Sequence, residues 1–238
     1  MVEAGKYIDA YEALISLNGY KDSAAKASEI FEQYEIEKLK IAEGGDIVFF
    51  GTYEQDNDIS NGNENIEWLV LAKESDKVFV LSRYALDFQQ YNTSVTDVTW
   101  ETCSLRKWLN GTFIRNAFSA AEQDMIQNTT VTAVKNPMYN RPAGNNTTDK
   151  VLLLGIYDLY EYIKTDEAKE CIATDYAIAQ AASKGRTSGK ATCWWWSRTT
   201  GAYQECAAVF EYSGSANFIG YRLDNIGGIR PAMWVSFE

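Results

Sequence analysis

Apolar residues recur at helical spacing between residues 5 and 41 and form two stripes. Asn18-Gly19 interrupts the pattern as a helix stop does, and Asp22 or Ser23 can cap the second helix. We therefore predict a helical hairpin in residues 1–43, serving as a spacer or as an attachment to a larger assembly. The stripes contain Tyr7, Ile8, Tyr11, Leu14 and Ile15 in the first helix and Ala27, Ile30, Phe31 and Tyr34 in the second.

From Gly44 onward the pattern becomes that of β-strands. Residues 46–53, 66–72 and 77–82 are rich in β-branched and aromatic residues, which predicts an antiparallel meander. Glu74-Ser75-Asp76 is a natural turn between the last two strands.

The rest of the chain mixes helical and strand patterns. Ser119 and Glu122 match a capping box, which predicts that a short helix begins there. Helices inserted between strands, without regular βαβ alternation, indicate an α+β fold. The predicted segments are helices in 104–126, 156–163 and 175–182, a buried strand at 151–154, loops at 135–149 and 183–192, and several short strands in 193–238.

Composition narrows the function classes. The net charge of −11 argues against nucleic acid and anionic membranes as partners, because both require a Lys/Arg-rich surface. The first residues lack the apolar core of a signal peptide, and we find no apolar run long enough to cross a membrane. We therefore predict no membrane insertion and leave the compartment open.

The chain contains no histidine, which removes the commonest general base and zinc ligand. Its four cysteines, Cys103, Cys171, Cys193 and Cys206, lack metal-ligand spacing; they suit two disulfides or, preferably, buried free thiols. No phosphate-binding or dinucleotide motif is present. We therefore predict no catalytic residue, no cofactor and no metal.

Residues 56–67 permit two interpretations. Asp56, Asp58, Ser60 and Glu67 fall at the ligand positions of an EF-hand-like calcium loop, but Gly62 is one residue late and the flanks are strands. The favoured alternative is a polar hairpin loop whose Asn-Gly sets the turn.

The run Cys193-Trp194-Trp195-Trp196-Ser197-Arg198 also permits two interpretations. Three tryptophans can form a stacking platform for sugars or bases, or they can be structural, with at least one facing the core because side chains alternate along a strand. We favour the structural role and expect Arg198 to pair with a carboxylate or to stack on an indole.

Six segments carry motifs of a known kind: 66–71 (IEWLVL), 79–82 (FVLS), 100–113 (WETCSLRKWLNGTF), 117–122 (AFSAAE), 195–201 (WWSRTTG) and 227–234 (GGIRPAMW). These motifs resemble an uncharacterised bacterial domain family, which is similar to the C-type-lectin-like fold of the formylglycine-generating enzyme and of the variable proteins of diversity-generating retroelements. The resemblance covers roughly residues 44–238 and implies one C-type-lectin-like ligand-binding domain there. The chain departs from the family pattern at Ser197, Thr200 and Leu154-Gly155.

The resemblance implies that the last strands and loops present a tolerant binding surface over about residues 197–226. In retroelement-diversified relatives, adenine-directed mutagenesis rewrites residues encoded by Asn codons in this segment. The alternative is an ordinary surface of strands and loops. Rich in Tyr, Ser and Asn, the segment resembles an antibody paratope, and its candidate contact residues are Ser197, Tyr203, Phe210, Tyr212, Asn217, Phe218, Tyr221, Arg222, Asp224 and Asn225.

Three functions follow as hypotheses. The first is a receptor-type or adhesion-type module for a protein or glycan ligand. The second is a copper-dependent oxidase related to formylglycine-generating enzymes, with Cys193 and Cys206 as the copper-binding pair. The third, compatible with the first, is a structural component attached to a larger assembly through the N-terminal helices.

Overall fold

The alternating apolar runs that follow Gly44 form a sheet, as predicted. A computed structural model describes residues 5–183 and 192–237 of the chain, so the loop predicted at 183–192 lies almost wholly outside the described residues. Ile66, Trp68 and Val70 alternate inward on one strand, the period expected of a half-buried sheet. The first strands are β1 (Ile47–Tyr53), β2 (Glu64–Lys73) and β3 (Lys77–Ser82), paired antiparallel.

The C-terminal strand completes this first sheet. Its strand order is β1-β2-β3-β14-β8, where β8 is Leu152–Leu153 and β14 is Pro231–Ser236. Trp234 on β14 lies opposite Phe79 on β3, with ring centroids 5.1 Å apart. The last residues of the domain therefore pack against its first hairpins.

A second five-stranded sheet has the order β12-β11-β10-β13-β5, with β12 at one edge. The neighbours β10 and β13 run parallel, and the other pairs are antiparallel. Its strands are β5 (Asp87–Gln90), β10 (Trp195–Thr200), β11 (Cys206–Phe210), β12 (Ala216–Arg222) and β13 (Ile226–Ile229).

Helices and two small strand pairs connect the sheets, so the described residues form an α+β fold. The predicted capping box is present: Ser119 Oγ accepts from Glu122 N, and Glu122 Oε2 accepts from Ser119 N. These elements are β4 (Tyr84–Ala85), α4 (Ser104–Trp108), a π-helix (Leu109–Phe113), α5 (Ile114–Ala117), α6 (Ala120–Met125), β6 (Thr129–Val131), β7 (Thr147–Asp149), α7 (Ile156–Tyr162), α8 (Asp166–Lys169), β9 (Ile172–Ala173) and α9 (Asp175–Ser183).

The N-terminal segment forms three helices, α1 (Lys6–Ser16), α2 (Ser23–Glu29) and α3 (Phe31–Ile41), so the predicted two-helix hairpin is wrong in its second half. The second predicted helix breaks at Ile30, where the chain leaves helical geometry. The break places the Phe31 ring against Tyr11 and Phe49, at centroid distances of 5.3 and 6.1 Å. Tertiary packing therefore overrides the continuous helical pattern.

The polar segment between β1 and β2 is a hairpin loop, so the favoured interpretation of residues 56–67 is confirmed. Gly62 has a φ of 94°, the left-handed conformation that this turn needs. Glu67 lies on β2 and pairs with Arg83 at 2.5 Å, facing away from an EF-hand-like ligand set. None of the helices in the described part of the chain is long and apolar enough to cross a bilayer.

Glu35 on α3 is a buried carboxyl where the helical segment packs on the main fold. Its side chain is 8% exposed, and its Oε1 atom has no hydrogen-bond partner among the described residues. Burial, together with the charges of Glu122 and Glu32, raises the pKa of Glu35 from 4.5 to about 8. The folded protein therefore keeps a proton that the unfolded chain releases between these two values.

We predict that Glu35 makes the free energy of unfolding fall as the pH rises from about 4.5 to about 8, because the folded state binds more protons over this range. Glu35→Gln removes the titrating group. The free energy of unfolding of the variant, relative to that of the wild type, should therefore rise by up to about 1.4 kcal/mol per pH unit. Urea unfolding at several pH values measures the difference. Glu29→Gln, at an exposed position on α2, is the control and should track the wild type; a pH-independent difference between Glu35→Gln and the wild type would contradict the assignment.

Candidate ligand-binding site

The tryptophan run is the interior support of the candidate site. Trp194, Trp195 and Trp196 are all buried, so the structural interpretation is confirmed and the stacking platform is wrong. Trp196 Nε1 donates to Gln89 O at 2.9 Å, and the Trp195 ring lies 4.1 Å from that of Phe210. Both faces of β10 are covered, since every residue of the strand except the half-buried Arg198 is buried.

Two cationic side chains fix the neighbouring segments. Arg198 pairs with Asp158 at the start of α7, as the sequence led us to expect of a carboxylate partner. Arg230 is buried, donates to Ser82 O and Ala168 O at 2.8 Å each, and lies over the Trp195 ring at 5.2 Å. The buried segments behind the candidate site are therefore held by charged groups as well as by packing.

Strand β12 forms the outer edge of the site and bulges between its two ends. Its pairing with β11 joins Ala207 to Tyr221 and Val209 to Asn217, leaving extra residues on β12. Gly220 lies in this bulge with a φ of 79°, and a Cβ atom there would meet Ala207 O at 2.1 Å. Glycine at this position is therefore required both by backbone conformation and by close approach.

Asn136, far away in sequence, ties the bulge to β10. Its Nδ2 donates to Thr200 O and to Phe218 O, at 2.8 Å each. The Ala202 N–H adds a bond to Ile219 O at 3.0 Å. These bonds hold the bulge of β12 against β10 and against the turn that follows β10.

Eight of the ten predicted contact residues are at least partly exposed. Tyr203 and Tyr212 are 61% and 52% exposed and lie in turns at opposite ends of β11. Arg222 is also exposed and forms two hydrogen bonds to Asp224, of 3.1 and 2.9 Å. Half-buried positions are held by Asn217, Phe218, Tyr221, Asp224 and Asn225.

Two predicted contact residues, Ser197 and Phe210, are fully buried, so their assignment to a ligand surface is wrong. Ser197 Oγ is used inside the protein, accepting from Thr199 N at 3.1 Å. Phe210 packs on Trp195 because β11, like β10, is covered on both faces. Alternation along a strand does not reveal this double coverage.

A polar network orders the remaining side chains. Glu211 accepts from Asn217 Nδ2 at 2.7 Å and from Tyr221 Oη at 3.0 and 3.1 Å. The Tyr221 ring meets Trp194 edge-on at 4.8 Å, so it bridges the network and the core.

Glu211 was missing from the sequence prediction, as was Ile219, which is 51% exposed on β12. The alternation along this strand places Ile219 beside the predicted residues, but a lone exposed Ile is not in itself a signal.

A small pocket adjoins β10 beside this surface. It is lined by Arg198, Thr199, Thr200, Trp100 and Tyr157, among others. The sequence could not reveal it, because its lining comes from segments about 100 residues apart.

The four cysteines are buried and unbridged, as the favoured prediction held. Cys193 and Cys206 do not form a pair: Gly201 N bonds to Cys206 O, and eight residues of extended chain, roughly 20 Å or more, separate Gly201 from Cys193. Cys193 lies opposite Cys171, whose carbonyl accepts from Cys193 N at 2.8 Å.

The surroundings of Cys171 and Cys193 shift the pKa values of the two thiols in opposite directions. Burial raises the pKa of Cys171, but the hydrogen bond from Cys193 and the charge of Arg230 outweigh it and leave that pKa below the usual value. The bond to Cys171, together with burial, raises the pKa of Cys193. Cys171 is therefore the favoured thiolate of the pair.

We predict that Gly220→Ala lowers the free energy of unfolding by about 3 kcal/mol or more, because the new methyl meets the Ala207 carbonyl as well as forcing a positive φ. Gly62→Ala is the matched control: its φ is also positive, but no atom lies within 4 Å of the added Cβ. It should cost only about 1–2 kcal/mol. Chemical denaturation of both variants measures the difference; equal losses would show that the β12 bulge is not tightly packed.

The chain matches a domain family described only as a domain of unknown function, DUF6273, over residues 75–237. The match includes the second sheet, the tryptophan run and every candidate contact residue. No curated protein and no solved structure matches the chain. Since the match spans well over half of its length, the chain belongs to the DUF6273 family, whose function is unknown.

Proposed function

We propose that this chain is a ligand-binding module of receptor or adhesion type with a C-type-lectin-like fold. Its ligand, a protein or a glycan, is bound by side chains of β12 and of the turns at both ends of β11, without catalysis. We call this the β11–β12 surface. It consists of Tyr203, Tyr212, Asn217, Phe218, Ile219, Tyr221, Arg222, Asp224 and Asn225.

The observation that carries the proposal is the contrast between this surface and its support. The neighbouring strand β11 is buried at every residue, whereas no residue of β12 is fully buried. The edge is anchored by Gly220 and Asn136. A backbone that is already fixed loses little conformational freedom when its side chains bind a ligand, which favours affinity.

The chemistry of the surface favours recognition by side chains over strand addition. Phe218 O and Ile219 O are already bonded within the chain, and the bulge interrupts the edge. Tyrosines supply rigid contact area, while Asn225 supplies adaptable hydrogen bonds. This combination suits a protein epitope or a sugar, both of which offer hydroxyl and amide groups beside apolar patches.

A more specific version of the proposal is that a retroelement diversifies the residues of the β11–β12 surface. Its support is that most candidate positions are exposed or half-buried, while framework glycines contact backbone or core. DNA downstream of the gene should contain a near-copy of the segment encoding roughly residues 193–234, differing mainly at adenines, close to a reverse transcriptase. Without such a copy the surface is a fixed one, and diversification is excluded.

The helical segment suits attachment to a larger assembly. Ile15, Leu17 and Tyr20 are more than half exposed around the end of α1. Apolar side chains exposed close together mark surfaces that bind other proteins. Attachment there leaves the β11–β12 surface free.

We predict that ligands selected from a displayed peptide library or a glycan array against the wild-type chain lose tenfold or more in affinity on the triple variant Tyr203→Ala, Tyr212→Ala, Arg222→Ala. Each substitution removes an exposed anchor, and tenfold corresponds to about 1.4 kcal/mol. The matched control is Tyr20→Ala with Tyr160→Ala, which removes tyrosines that are similarly exposed elsewhere. Surface plasmon resonance measures both; ligands that bind the triple variant unchanged would contradict the assignment.

A copper-dependent oxidase is the second candidate. Its copper-binding pair would be Cys171 and Cys193 instead of Cys193 and Cys206. The two thiols face each other, and a Cu(I) ion held by two thiolates would carry a net charge of −1, which Arg230 would balance. The copper would supply oxygen activation, and the chain's part is to hold the two sulfurs and the compensating charge.

We predict for this candidate that one Cu(I) per chain is retained against a chelator and lost in Cys171→Ser. Cys206→Ser is the control, because Cys206 lies far from the pair. Copper is quantified after competition with a colorimetric Cu(I) chelator. No retained copper in the wild type would exclude the oxidase and leave the binding module.

A further inference from the structure

The hairpin loop between β1 and β2 gathers three carboxylates. Glu54, Asp56 and Glu64 each contribute an oxygen, and these oxygens lie within 4.8 Å of one another. Glu54 is 8% exposed, and its Oε1 atom is buried with no hydrogen-bond partner among the described residues. A buried carboxylate oxygen without a partner is costly unless a proton or a cation compensates it.

No Lys or Arg among residues 5–183 and 192–237 forms an ion pair with any of the three carboxylates. Burial raises the pKa of Glu54, and the charges of Glu64 and Asp56 add to the effect, against a hydrogen bond from the backbone of Asn57. Within the described residues, the negative charge in this loop therefore lacks a positively charged partner.

We propose that Glu54, Asp56 and Glu64 bind a calcium ion, which supplies the missing positive charge. The ion joins the end of β1 to the start of β2. Because Tyr176 N donates to Gln55 O at 2.9 Å, the same loop is tied to α9. Calcium binding thus fixes the loop against the main fold.

The ligand set selects the class of ion. Three carboxylates without a thiol suit a hard cation, and calcium–oxygen distances of about 2.4 Å allow two ligands to lie up to about 4.8 Å apart. The shorter distances of magnesium require ligands no more than about 4.2 Å apart in a near-ideal octahedron. Three carboxylate oxygens within 4.8 Å of one another fit the longer distances and the looser geometry of calcium, whose remaining ligands would be waters or carbonyls.

Two of the ligands are already oriented by the chain. Glu64 Oε2 accepts from Gln55 N at 2.6 Å and from Asp56 N at 3.3 Å. Asn61 Nδ2 donates to Asp56 Oδ2 at 2.8 Å. These bonds hold the side chains before the ion arrives, so less conformational entropy is lost on binding.

The test is calorimetric titration of the full chain with calcium chloride after treatment with a chelator. We expect one site with a dissociation constant of about 1 mM or lower and a melting temperature that rises with calcium. Glu54→Gln and Glu64→Gln should weaken binding at least tenfold and abolish the shift. Asp58→Asn lies in the same loop but outside the cluster, and should bind as the wild type does.

Circular dichroism of the variants without calcium separates lost binding from lost folding. Glu54→Gln should be folded and at least as stable as the wild type without calcium, because it relieves repulsion among the carboxylates. The proposal is overturned if the wild type gives no saturable calcium signal, if Glu54→Gln binds calcium normally, or if magnesium binds equally well. A wild type that is insensitive to calcium, together with a stabilised Glu54→Gln, would identify a shared proton as the compensating charge instead.

Discussion

The burial of three consecutive tryptophans, Trp194 just before β10 and Trp195 and Trp196 on it, is the constraint on which the second sheet depends. Side chains that large on both faces of one strand require space on the neighbouring strand, and Gly227 and Gly228 provide it on β13. A Cβ atom at Gly227 would lie 2.2 Å from the Trp194 ring. The glycines are therefore the counterpart of the tryptophans, and neither can change alone.

The same constraint explains the buried Arg230. It follows β13 directly and lies over Trp195, where three backbone carbonyls accept its hydrogen bonds. An ordinary ion pair would need a carboxylate in an interior already filled by rings, and such burial is costly. The Cys171 side chain is small and polarisable enough to fit beside it, and the charge of Arg230 helps to lower the pKa of this thiol.

Much of the fold could be predicted from local patterns. The meander of β1–β3, the capping box at Ser119 and the short C-terminal strands follow from alternation, capping chemistry and turn residues. The break at Ile30 and the burial of Ser197 and Phe210 could not be predicted in that way. They depend on which surfaces meet in space, and Phe31 meets Phe49 only after the sheet exists.

The candidate site, too, could be predicted where local residue content marks it and not where it depends on tertiary contacts. Composition and the family resemblance identified Tyr203, Tyr212 and Arg222, which are exposed, because surfaces of this kind have a characteristic residue content. Nothing local marks Asn136, which anchors the edge from 64 residues before Thr200 in the chain. Its hydrogen-bond partners are backbone carbonyls, whose positions no side-chain pattern encodes. The Cys171–Cys193 pair likewise arises from a chain reversal between the two residues, not from their spacing.

Burial also limits how far this surface can vary. Replacing Phe210 by a small residue would leave a cavity against Trp195 and cost about 3–5 kcal/mol, a large part of the stability of an ordinary domain. Tyr203 and Tyr212, half exposed in turns, have no comparable packing to lose. Change across residues 197–226 would therefore be tolerated unevenly, with the exposed positions of β12 and of the turns free to vary and with Gly220, β10 and β11 fixed. Such unevenness is what a binding surface on a rigid support requires, because the ligand-facing side chains can change while the backbone that presents them stays in place.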